Sequence, residues 1–419
     1  MRALLSILAV LFFAASGFMA EPAQATELAP PSAASFVPRL DRILLRDVLR
    51  ASGVTEEEKR RIHEESFQAL LEEVSREVGQ VRSSYRRARK LHDLLHQRVL
   101  RRYESTADGL DSILERGEYN CLSASLLYGL LGRALGLEVQ VVEIPRHVYV
   151  RFLIEQRRVE VESTARNGFD LRPRFATAQG HPLVDPGYGS DANASPLSPP
   201  EPVPESVDLE RAVGFLWHNQ GRRALERGNA LIAAESFLEE SKLEPLEASR
   251  SETLGMYLAR AFRMDYEAGS FESAYRIAEI GMEIFPGQTT ARDRLLAAAL
   301  KRIEAACEVG RTEAAEGILD HATSTSKNPV NTRRLERGAC PLIAAAAVRA
   351  EEWDRAERMT LRFSAAEPDG VESRRLAGWV ARRRQEANVR SAENACAEPA
   401  EGSFPSPFLS MLGNSTGAD

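Results

Sequence analysis

Gly117-Glu-Tyr-Asn-Cys-Leu-Ser-Ala-Ser-Leu-Leu-Tyr128 is the stretch that decides how the first half of this chain folds. A polar lead gives way to an almost wholly apolar run, so the pattern predicts a buried helix that opens at Cys121, with Asn120 as its N-cap. A thiol in that place is chemically distinct, because unpaired amides and the positive end of the helix dipole favour thiolate over thiol. Thiolate is the nucleophilic form. An isolated His147 and then Glu162 follow. Thiol, imidazole and carboxylate are together the parts of a cysteine nucleophile site, in which an imidazolium stabilises thiolate and later protonates a leaving group.

Working outward, the hydrophobic period shortens to two residues from Val139, through Val139-Gln-Val-Val-Glu-Ile144, His147 to Ile154 and Val159 to Ser163. A two-residue turn at Glu155-Gln156 sets Val150 opposite Val161 and Phe152 opposite Val159. Val148, Val150, Phe152, Ile154, Val159 and Val161 then share one face, and His147, Tyr149, Arg151, Glu160 and Glu162 the other. In this register Glu162 opposes Tyr149 and lies diagonal to His147, about 7 to 8 Å away between backbones, a gap that a glutamate side chain spans. A carboxylate there fixes the imidazole tautomer and stabilises its charged form. The apolar face is expected on the core and the polar face against the cysteine helix. Upstream, residues 36 to 110 read as helical: Thr55 with Glu58 makes a capping box, and Tyr85 to Tyr103 carries Leu91, Leu94, Leu95, Val99 and Leu100 at helical spacing.

With these motifs in hand, the stretch from Arg86 to Gly168 resembles the transglutaminase-like superfamily. The resemblance rests on Ala88-Arg-Lys-Leu-His-Asp-Leu-Leu-His96, the segment from Gly117 to Tyr128, Leu135-Gly-Leu137, Pro145-Arg-His-Val-Tyr-Val150 and Val159-Glu-Val-Glu-Ser-Thr164. It implies a papain-like α+β core behind a helical lead-in, with Cys121 as nucleophile, His147 as general base and acid, and Glu162 as the orienting acid. Glu162 stands where the family commonly has Asp. The resemblance identifies no side-chain oxyanion donor upstream; Tyr119 and Asn120 are the nearest polar choices, beside the Cys121 amide itself. Members include cross-linking acyltransferases, proteases, other amidases and inactive forms.

The rest of the chain organises around that core. Arg2, an uncharged apolar run from Ala3 to Ala20 and the A-x-A site Ala23-Gln-Ala25 read as a signal peptide over residues 1–25, with cleavage after Ala25 and a periplasmic or secreted product. A retained apolar anchor is the other reading of that run. The cysteine-bearing domain is expected over 36–175. A Pro/Ser/Gly-rich linker over 176–206 follows, ending in Ser195-Pro-Leu-Ser-Pro-Pro-Glu-Pro-Val-Pro204. Beyond it Gly228, Gly269, Gly310 and Glu351 recur every 41 residues, and Ala233, Ala274, Ala315 and Ala356 keep the register five residues later. Pro245, Pro286 and Pro368 read as stops on the same lattice, with Pro329 two residues late. Residues 207–390 therefore resemble tetratricopeptide-type helical hairpins, an all-α solenoid in which paired helices bury faces that one pair leaves wet. Trp353 takes the aromatic place of Phe271, and a disordered tail is expected over 391–419.

Composition narrows the function. The chain has 419 residues and 43% hydrophobic content, enough for two or three domains, and its 54 basic against 61 acidic residues give a formal −7. That balance supplies no cationic surface for nucleic acid or anionic lipid. His92 and His96 share a helix face at metal-ligand spacing, but Asp93 is too short for a zinc-protease glutamate and no third ligand is evident, so neither metal nor cofactor is expected. Of the four cysteines, Cys396 lies in the tail. Cys340 sits eight residues from Val348, the lattice equivalent of Cys307, which is about 12 Å along a helix. A disulfide needs Cα atoms within about 7 Å, so both are expected as free core thiols. The expected protein is an exported cysteine enzyme acting on amide bonds through an acyl-Cys121 intermediate, with repeats that bind a protein or peptide partner. The alternative is a noncatalytic interaction scaffold that retains the core.

Overall fold

The computed structural model describes residues 38–144, 146–171, 204–243, 248–368 and 370–397. The expected signal peptide, most of the expected linker and the last 22 residues of the tail lie outside the described residues. The first elements are α1 (Arg42–Ala51), α2 (Glu57–Val78) and α3 (Ser84–Leu94), which runs on as a π-turn over Leu95–Val99. Glu56, not Thr55, caps α2, and no side chain bonds the cap, so the expected Thr55–Glu58 box does not form. The helical stretch also ends sooner than expected, with Leu100 already extended. Next come β1 (Arg102–Tyr103), α4 (Leu110–Arg116), β2 (Glu118–Tyr119) and α5 (Cys121–Ala134). All but two of the fourteen α5 residues are buried, as an apolar sequence all round a helix requires.

The sheet follows. Strands β3 (Glu138–Ile144), β4 (His147–Ile154), β5 (Arg157–Val161) and β6 (Glu205–Val207) form one antiparallel sheet in the order β5-β4-β3-β6. Val150 pairs with Val161 and Phe152 with Val159, the register that the hydrophobic alternation dictates. Glu155 at φ 51° and Gln156 at φ 65° both adopt the left-handed conformation that a two-residue hairpin turn of matching twist needs. β6 was not expected as a strand: Glu205 and Ser206 fall in the predicted linker and Val207 at the start of the predicted repeats, yet Val207 pairs with Val141 and Glu205 with Glu143. The facing of the sheet also differs from expectation. A side chain added at Gly132 of α5 would meet Val139 at 2.7 Å and Phe152 at 3.0 Å, so the cysteine helix lies on the apolar face. On the opposite face Arg151 and Glu160 are buried as an ion pair at 2.7 Å.

The C-terminal part is wholly helical among its described residues after β6. It runs α6 (Leu209–Glu226), α7 (Ala230–Leu243), α8 (Ala248–Glu267), α9 (Phe271–Ile284), α10 (Thr289–Glu308), α11 (Thr312–Ser326), α12 (Pro329–Arg349), α13 (Trp353–Ala366) and α14 (Val371–Ala397). Helix α14 carries seven residues of the expected tail. The 41-residue lattice has a local cause. Gly228, Gly269, Gly310 and Glu351 are each left-handed, at φ 82°, 76°, 73° and 59°, and end the first helix of a pair. Each is held by the same two backbone bonds, such as Gly310 N to Cys307 O (3.3 Å) and Arg311 N to Ala306 O (2.8 Å), the Schellman arrangement. Ala233, Ala274, Ala315 and Ala356 are fully buried where the paired helices approach. Pro329 is not a stop: it occupies the first turn of α12, behind the N-cap Asn328. Cys307 and Cys340 are free thiols within one core, and burial pushes both up, Cys340 to about 12.

The two halves are packed together rather than tethered. A side chain at Gly129 of α5 would collide with Leu209 of α6, which is fully buried there. Arg223 of α6 pairs with the buried Asp108, Arg133 of α5 with Glu210, and Arg250 of α8 with Glu143 at 2.7 Å.

Candidate active site

Helix α5 is started by a cap that fixes the thiol in place. Asn120 Oδ1 accepts from the amides of Leu122 (2.9 Å) and Ser123 (3.1 Å), and Ser123 Oγ accepts from the Asn120 amide at 2.9 Å. The cap takes no bond from the Cys121 amide. Asn120 Nδ2 donates to Ser105 O at 3.1 Å and the Tyr119 hydroxyl to Thr164 O at 3.4 Å, so both side chains considered as oxyanion donors already have acceptors. Gly117, in the same motif, is left-handed at φ 70°, and any side chain there would lie 2.7 Å from the Val99 carbonyl. Only glycine lets the chain pass that carbonyl on its way to the cap.

His147 opens β4 opposite Ile144 of β3. Its Nε2 lies 2.7 Å from Glu162 Oε2, and the Cys121 side chain is close enough to act on the charge of the ring. With Nε2 at the carboxylate, Nδ1 is the ring nitrogen not engaged by Glu162. The His147 and Glu162 side chains are 26% and 19% exposed, so the pair is shielded but reachable. Burial opposes charge on His147, yet the hydrogen bonds and charges of Cys121 and Glu162 outweigh it and push the imidazole up to about 10. Burial likewise opposes charge on Glu162, and His147 and Thr164 overcome it, holding the carboxyl below its usual range. The structure thus brings the three sequence-expected residues into one contact chain.

The route by which Glu162 reaches His147 differs from the expected ladder. The β4–β5 pairing stops at Val150 with Val161, so Glu162 does not oppose Tyr149. It begins a tight loop: its amide donates to Gly168 O at 2.9 Å, and a side chain at Gly168 would strike the Glu162 carbonyl. The second carboxylate oxygen, Oε1, accepts from Thr164 Oγ1 at 2.6 Å and from the Thr164 amide at 3.2 Å. The extra methylene of glutamate is therefore taken up by a two-point hold, with Oε2 directed at the imidazole.

The family model of the transglutaminase-like superfamily matches residues 63–172. A transglutaminase-like domain is present there. No curated protein and no solved structure matches the chain. Within the transglutaminase-like domain several buried polar residues next to Cys121, His147 and Glu162 were not singled out from the sequence as part of a polar network. Ser125 and Ser163 hydroxyls meet at 2.9 Å, and both are fully buried. Tyr128 OH is 2.8 Å from His92 Nδ1, and His92 Nε2 is 3.0 Å from Arg166 O. Burial lowers the pKa of His92, and that of His96 to about 4, so both rings are neutral at neutral pH. His92 donates to the Arg166 carbonyl, and His96 lies against the backbone of Ser163. The signal for Ser125 and Tyr128 was available, since four and seven residues after Cys121 they fall on its face of the helix.

Proposed function

We propose that this protein is an exported cysteine enzyme that acts on an amide bond of a protein or peptide through an acyl-Cys121 intermediate. The single observation that supports the reading most is the position of His147, beside the Cys121 thiol at a helix N-terminus and hydrogen-bonded to Glu162. In the reading, the Cys121 thiolate attacks the amide carbon and the carbonyl oxygen takes the negative charge. The Cys121 amide, outside the Asn120 cap, donates to that oxygen. As the C–N bond breaks, the His147 imidazolium gives its proton to the departing nitrogen, leaving a thioester on Cys121. Water or an amine then loses a proton to His147 and adds to the thioester carbon, and the C–S bond breaks to return the thiolate. Glu162 keeps the imidazole oriented and favours its charged form throughout.

The helical hairpins of the C-terminal part we read as tetratricopeptide-like and as the surface that presents the partner. Their docking through α6 onto α5 supports this, because it holds the array at a fixed place relative to the helix of the nucleophile. The N-terminal signal reading places the activity in the periplasm or outside the cell.

Peptide mapping by mass spectrometry tests the reaction. The full-length protein is mixed with a digest of exported proteins and quenched in acid, and the Cys121 peptide is weighed with and without hydroxylamine. A hydroxylamine-sensitive adduct on Cys121, absent after iodoacetamide pretreatment, is expected. A Cys121 that carries no adduct while remaining alkylatable would favour a noncatalytic scaffold instead.

A further inference from the structure

Glu162 stands outside the sheet ladder, so the sheet alone does not hold it within reach of His147. A carboxylate that must meet an imidazole at 2.7 Å loses that contact if its loop drifts by about an ångström. What fixes the loop comes from the nucleophile's own helix. Cys121, Ser125 and Tyr128 lie on one face of α5 at successive turns. Ser125 Oγ bonds Ser163 Oγ, next in sequence to Glu162. Tyr128 OH donates to His92 Nδ1, which leaves the ring proton on Nε2, aimed at the Arg166 carbonyl across the same loop. These groups are fully buried and exclude competing water, which makes each bond costly to lose.

We infer that Ser125, Tyr128 and, through Tyr128, His92 are positioning residues that tie the Glu162–Gly168 loop to the helix face bearing Cys121, so that nucleophile and acid are set in register by one element. This rests on the proposed Cys121–His147–Glu162 site and adds to it the residues that keep its acid in place. None of the three touches the reacting atoms. Their contribution is read in how well Glu162 supports His147, and hence in the pH dependence of Cys121 alkylation. Burial keeps His92 neutral and therefore with a free Nδ1 lone pair to receive the Tyr128 proton, in accord with the geometry.

The test is the pH profile of Cys121 alkylation by iodoacetamide in the full-length protein, with Glu162→Gln as reference. Glu162→Gln should move the low-pH limb up by about one to two pH units, the size of one charge-assisted hydrogen bond. Tyr128→Phe, which removes one hydroxyl from an otherwise unchanged ring, should move it in the same direction by at least a third of that amount, with the far-ultraviolet circular dichroism unchanged. Ser125→Ala and Ser163→Ala, which cut the second tie from either side with minimal change of volume, should do likewise and serve if Tyr128→Phe does not fold. Folded variants with the wild-type profile, beside a shifted Glu162→Gln, would overturn the positioning role and leave the proposed site standing. An unshifted Glu162→Gln would remove the proposed site, and the positioning role with it.

Discussion

Replacing Glu351 by glycine should stabilise the helical array. Three of the four lattice-equivalent turn positions are glycine, and the fourth carries an exposed glutamate at φ 59°. A residue with a Cβ in the left-handed region costs roughly 1–2 kcal/mol. Glycine returns part of that as lost chain entropy on folding, roughly 0.5–1 kcal/mol. The difference predicts that Glu351→Gly gains about 0.5–1 kcal/mol. A side chain added at Gly310 meets nothing within 4 Å, so Gly310→Glu isolates the same backbone term with opposite sign and should lose a similar amount. Urea unfolding followed by far-ultraviolet circular dichroism measures both, the midpoint moving while the slope stays constant. A destabilised Glu351→Gly, or a neutral Gly310→Glu, would show that the recurring left-handed turn is not what sets the 41-residue lattice.

Three further outcomes follow from the packing and the buried histidines. Gly129→Val drives a branched side chain into the buried Leu209 and should cost about 1–3 kcal/mol by urea unfolding; an unchanged midpoint would mean that α6 is not seated on α5. A chain truncated after Pro204 loses β6 and α6, baring the β3 edge and one face of α5, and should aggregate on expression; a soluble monomer with a cooperative melt would contradict the joint packing. His96, whose folded pKa is depressed from 6.5 to about 4, takes up its proton more readily when unfolded, so stability present above about pH 6.5 should fall as the pH drops toward 4. The loss is at most on the order of 3 kcal/mol, and His96→Gln should flatten that limb of the stability profile; a variant with the same acid slope would refute it.

Much of the first domain was legible because its signals are local. Strand parity around Glu155-Gln156 fixes Val150 against Val161, since a two-residue turn leaves no other register and a slip by one would put Phe152 in the wrong face. Asn120 announces the start of α5 because a polar residue before an apolar run has few other uses. The repeat was visible in the glycines because left-handed turns select them. What sequence reasoning missed is tertiary. β6 has three residues, too few for a period, and becomes a strand only because the β3 edge is open to it. The apolar face lies on the core as expected, but the cysteine helix packs on it and not on the polar face, where the Arg151–Glu160 pair is buried. The hold of His92 on the Arg166 carbonyl was likewise not legible, because helical spacing says nothing of a loop 74 residues away. Pro329 reads equally as the end of one helix or the first turn of the next, and only the Asn328 cap decides it.

The proposed coupling of Cys121 to His147 is tested most directly by the rate of Cys121 alkylation below pH 7. Wild-type Cys121 should react with iodoacetamide at pH 5.5 to 6.5 far faster than the buried Cys307 and Cys340, and His147→Ala should slow it by roughly 10-fold or more at the same pH, as expected when the stabilising imidazolium is lost. A Cys121 that reacts no faster than the buried thiols, or equally fast with and without His147, would contradict the account.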